Sequence, residues 1–148
     1  MQPQLNSPEI EDVEKVAGLI FPVEYKDHLL KFNGGKCSPC ELAFIENGKS
    51  TSSYIDKFLA IYSGKYDNLI DYIHIYKIDE KRLPTHILPV ANDPGGNLIC
   101  ISCGGSDNGY VYFWDHETEV DYSNSDDADY SNLYLIAKTF NEFIDGLK

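Results

Sequence analysis

The chain has 148 residues, 43% of them hydrophobic, with 11 Tyr, 7 Phe and a formal net charge of −12. That length carries one domain with a real core, and the aromatic content excludes a disordered chain. The charge argues against a nucleic-acid binder, because phosphates would be repelled, and no run is long enough to span a bilayer. The start, "MQPQLNSPEIED", has neither a basic nor an apolar leader region, so a cytoplasmic protein is expected.

In chain order, Ser7-Pro8 followed by Glu9, Glu11 and Asp12 reads as a helix start, with Ile10, Val13, Ala17 and Ile20 on one face. Phe21-Pro22 breaks this helix and opens a second, whose stripe of Tyr25, Leu29 and Phe32 stops at Asn33-Gly34-Gly35. "ELAFIE" reads as a strand ending in the Asn47-Gly48 turn, and "YIDKFLAIY" begins as strand. "YDNLIDYIHIYK" has helical spacing, and two prolines bracket a short extended segment in "RLPTHILPVAND". "NLICIS" and "GYVYFWDHE" form a hairpin joined by "CGGSDNG". After the polar loop "TEVDYSNSDDADYSN", a last amphipathic helix is predicted to carry Leu133, Ile136, Ala137, Phe140, Phe143 and Ile144. Helices at both ends and in the middle, with turn-linked strands between, predict a single α+β domain over residues 1–148. Its sheet is expected to be mostly antiparallel, with five to six strands.

The charge is unevenly spread. Between Leu83 and Ala137 there is no Lys or Arg but nine acids, which leaves 15 acids and 12 bases elsewhere. Nine of the twelve excess charges therefore sit in about a third of the chain, either as a solvated face or as a docking surface for a basic partner.

Several motifs invite chemistry. Asp115-His116-Glu117 follows four aromatics, but on a strand the two acids face one way and the histidine the other, so one metal could not take all three. Cys37-Ser-Pro-Cys40 and Cys100-Ile-Ser-Cys103 could supply four zinc thiolates, yet 59 residues separate the pairs, far beyond the usual ribbon spacing. Nor does a helix start after Cys37 to acidify a redox thiol. "DPGGN" leads into a strand rather than a helix, so it is a turn and not a phosphate cradle. These features predict no catalytic residue, no metal and no cofactor, and the cysteines read as small buried hydrophobes.

Three stretches together resemble the SUKH superfamily, which includes bacterial immunity proteins and a fungal cell-wall regulator. They are "FPVEYKDHLLKFNGG" at 21–35, "ILPVANDPGGNLICIS" at 87–102 and "GYVYFWDHETE" at 109–119; the closing "TFNEFIDGL" at 139–147 is similar too. The matched positions are Pro22, Asn33, Gly34, Gly35, Asp93, Gly96, Asn97, Trp114, Asp115, His116 and Glu117. The resemblance implies a fold signature in which the polar trio fixes turns and lines a groove. It also implies a non-enzymatic protein that binds and neutralises a cognate toxin, or else an intracellular adaptor of the same fold. The two Cys pairs are no part of that pattern.

Under the immunity reading the partner is a basic protein toxin and the free chain a monomer. The expected docking acids are Asp107, Glu117, Glu119, Asp121, Asp126, Asp127 and Asp129, with Tyr122 and Tyr130 as aromatic anchors.

Overall fold

A computed structural model of the chain describes residues 2–123 and 126–148; Asn124 and Ser125 of the expected polar loop lie outside the described residues. The elements are α1 (Ser7–Ala17), α2 (Val23–Lys31), β1 (Glu41–Glu46), β2 (Lys49–Tyr54) and β3 (Lys57–Phe58), then α3 (Leu69–Tyr72) running into a π-helical stretch, Ile73–Asp79. They continue with β4 (Ile87–Asn92), β5 (Leu98–Ser102), β6 (Val111–Trp114), β7 (Leu133–Ala137) and α4 (Phe140–Asp145). Strands β3 to β7 form one antiparallel meander in sequence order, and β1 and β2 a separate hairpin. The α+β class and its antiparallel sheet stand as expected.

Two strands differ from the sequence reading. Leu133–Ala137, predicted as the start of the last helix, is β7, paired with β6. Leu-Tyr-Leu-Ile-Ala serves a sheet as well as a helix, and Thr139 then caps α4 by accepting from the Glu142 amide at 3.0 Å. The polar "KSTSSY" of β2 is held by its register with β1, which no apolar rhythm announces.

Side chains alternate across the meander. On β5 and β6, Ile99, Ile101, Val111 and Phe113 join a core with α1, α2 and α4, while Leu98, Cys100, Tyr112 and Trp114 join a second cluster with Leu83, Ile87 and Leu133. A sheet buried on both faces needs apolar residues along its strands, and β5 and β6 have them at every position but Ser102, whose hydroxyl is hydrogen-bonded. On β4 the pattern survives a register shift between Pro89 and Ala91, where a proline costs no ladder bond.

The first face is closed by apolar packing. Tyr25 meets Phe140 edge-on at 5.3 Å, and Phe44 of β1 stacks on Phe113 at 4.4 Å. Asn33, 2% exposed, ties the far loop to this core: its amide donates to the Pro3 and Ile61 carbonyls, and its oxygen accepts from the Ile61 amide at 2.8 Å. Gly34 follows at φ 74°, and a β-carbon there would sit 2.5 Å from that of Ala60, so the loop closes only with glycine.

Candidate functional site

The second face is closed differently, by the turns at both ends of β6 and by the acidic segment 115–132. At one end, Asp93 accepts from the Gly95 amide at 2.9 Å, from the Asn97 amide at 2.8 Å and side chain at 3.0 Å, and from the Ser53 hydroxyl at 2.9 Å. Asn97 passes the connection on: its oxygen meets the His116 backbone at 3.0 Å and the ring Nδ1 at 2.6 Å. Gly96 lies at φ 90° with the His116 ring against it. Asp115 is no longer on a strand. Its carboxylate accepts from the Glu117 amide at 2.9 Å and starts the short helical turn His116–Thr118, while its carbonyl accepts from Asn132 at 3.1 Å.

Beside this turn Trp114 is fully buried, edge-on to Tyr76 at 5.7 Å with the Arg82 guanidinium 5.3 Å from its ring. Arg82 also pairs with Glu119 and with Glu80, so the last base before the acid-rich stretch is fixed beneath it. Tyr122 continues the cover, its amide donating to the Lys81 carbonyl at 3.2 Å and its hydroxyl to the Asp129 carbonyl at 2.5 Å.

At the other end, a bowl of about 730 Å³ is lined by His86, Asp107, Tyr112, Asp126, Asp127 and Tyr130. Asp107 is its centre. It accepts from the hydroxyls of Tyr112 at 2.7 Å, Tyr130 at 2.8 Å and Ser102 at 2.8 Å, and Tyr130 in turn meets His86. Burial pushes the Asp107 carboxyl up, but the three hydroxyls outweigh it and hold it below the usual carboxylate range. Asp127 is held down mainly by Thr85, whose hydroxyl donates at 2.6 Å and whose amide donates at 3.1 Å. Asp129 is held down by Ser131.

Of the nine sequence-predicted partner residues, the fold therefore gathers Asp107, Asp126, Asp127 and Tyr130 around one bowl. It sets Glu117 and Glu119 at the opposite end of β6. Asp121, Tyr122 and Asp129 lie in the segment between, where Asp121 accepts from the Ser123 amide at 3.0 Å. Among the seven predicted acids, only the Glu117 carboxylate has no hydrogen bond or ion pair, and Asp126 accepts only from Ala128 two residues on. His86, Thr85 and Arg82 complete the arrangement and are invisible to motif reading, because their partners lie tens of residues away; Tyr112 joins them across the shorter hairpin turn to Asp107.

No three His, Cys, Asp or Glu side chains gather as a metal site among the described residues. Cys37 and Cys40 sit in the loop before β1, Cys100 is buried on β5 and Cys103 follows it, and all four thiols are free. No helix among the described residues is long and apolar enough to cross a membrane.

The sequence that folds into these helices around a meander is matched by a family model. The SMI1/KNR4 family (SUKH-1) model covers residues 5–146, and the chain belongs to that family. One relative is the SPbeta prophage-derived uncharacterized protein YokK of Bacillus subtilis (strain 168). It is 30% identical over 162 aligned positions, which cover 96% of this chain and 74% of the relative.

Proposed function

We propose that the chain is a non-enzymatic immunity protein that binds a basic toxin domain in the cytoplasm through its acidic face. Three things support this reading: membership of the SUKH-1 family, a prophage-derived relative, and the concentration of excess negative charge in one segment. The observation that carries it is the way that segment is built. Most of its acids are fixed by hydroxyls, amides and one arginine, so a basic partner meets charge that is already organised. Preset complementary charge steers encounter and can raise association rates by 10- to 1,000-fold, an effect that salt removes.

Glu117 and Asp126 are the residues to alter, since neither holds the segment to the rest of the fold. The test is co-expression with the reading frame beside the gene, scored as growth, with association rates measured for the purified pair. The expected result is rescue by the native chain, and association slowed about tenfold or more at low salt by Glu117→Lys with Asp126→Lys. A neighbouring product that is harmless, or growth arrest that the native chain does not relieve, overturns the reading in favour of an adaptor of the same fold.

A further inference from the structure

A second cavity, of about 390 Å³, opens between the end of α2, the loop before β1 and the end of α4. Its apolar wall is made by Phe32, Pro39, Phe58, Ile144 and Leu147. That volume is at the lower end of the range for small-molecule sites, which are concave and mostly apolar with a few polar groups. Phe32 is 52% exposed, an aromatic ring left at the surface beside a hollow.

The electrostatics of this hollow run against those of the whole chain. None of its lining residues is acidic, although the protein carries −12. Exposed Lys36 stands at its edge and, like most bases among the described residues, makes no ion pair. The other titratable groups add no negative charge. Burial pushes the Cys37 thiol up to about 11, helped by Cys40, and it lowers the His28 ring to about 4, helped by Lys31. The hollow is thus apolar, free of anions and marked by one available cation.

We propose that this cavity binds a small amphipathic organic anion, a medium-chain carboxylate, with its alkyl chain against Phe32, Phe58, Ile144 and Leu147 and its carboxylate on Lys36. The site shares no residue with the acidic bowl and stands whether or not the chain is an immunity protein.

The test uses sodium octanoate as probe and 1-octanol as its neutral counterpart, titrated into the labelled chain and followed through backbone amide shifts. Octanoate is expected to give saturable shifts confined to residues 28–39, Phe58 and 144–147. Octanol should bind the same place more weakly. Lys36→Glu should weaken octanoate about three- to fivefold, as for an exposed ion pair, and leave octanol unchanged. Phe32→Ala should weaken both, and because that ring is largely at the surface the variant should keep the native spectrum elsewhere. Shifts that scatter over the molecule or never saturate overturn the site. A Lys36→Glu variant with the native preference between the two probes overturns the anion.

Discussion

The two faces of one sheet are closed by opposite chemistry. On the first, α1, α2, α4 and the β1–β2 hairpin lay apolar side chains against Ile99, Ile101, Val111 and Phe113. On the second, Tyr112 and Trp114 lie beneath tyrosines, an arginine and a run of acids whose polar groups are largely spent on one another. Apolar packing is indifferent to what lies outside it, whereas a polar closure must keep its charges ionised and in place. The acidic face is therefore both a structural cover and an ordered electrostatic surface.

Phe113 and Trp114, neighbours on β6 that point to opposite faces, test whether the two closures form one cooperative unit. Each change to Ala is expected to cost about 3–5 kcal/mol in urea unfolding with an unchanged slope. A much smaller loss for Trp114→Ala would show that the second face opens on its own. Asp107→Ala takes the acceptor from the Tyr112 hydroxyl and one partner each from Tyr130 and Ser102, and should cost about 2 kcal/mol. It should also raise hydrogen exchange at residues 126–132 while leaving α1 and α2 protected.

Acid should separate the faces by pH. In the folded chain burial holds His28 down to about 4, so the unfolded state takes up its proton first, near 6.5. That contribution is complete above pH 6.5 and is lost as the pH falls toward 4, by at most about 3 kcal/mol, and His28→Gln should remove this part of the slope. Asp107 and Asp127 also lie below their ordinary range, so their contribution is present above the unfolded carboxylate value and disappears only at lower pH still. The smallest effect is expected for Glu117→Gln with Asp126→Asn, less than about 0.5 kcal/mol, read as a melting shift of under about 2 °C. A larger loss would mean that these two acids also hold the cover down.

The first face was largely legible in the sequence, because each of its elements declares itself locally. Ser7-Pro8 and the acids after it announce α1, although its cap is Asn6; the stripe of Tyr25, Leu29 and Phe32 marks α2, although Phe32 stays at the surface; and the glycine-linked runs 98–102 and 111–114 declare a hairpin. The asparagine and glycines at 33–35 were legible as a stop but not as a knot to Ile61, since that bond spans 28 residues. The second face shows in the sequence as charge without architecture. Nothing near Asp127 announces Thr85, and nothing near Asp107 announces Tyr130, because these pairs exist only once the sheet has brought distant turns together. Leu133–Ala137 went to the wrong element for a related reason: its pattern suits two structures, and β6 decides between them.

Trp114 is the only tryptophan in the chain. It is fully buried on the polar side of the sheet, with the Arg82 guanidinium and Tyr76 as its immediate neighbours. The molecule thus carries one indole among its eleven tyrosines, and that indole lies against the arginine that pairs with Glu119. A partner without tryptophan would leave the indole emission to this chain alone, so a spectral change on mixing would report on that one corner of the unlabelled native chain.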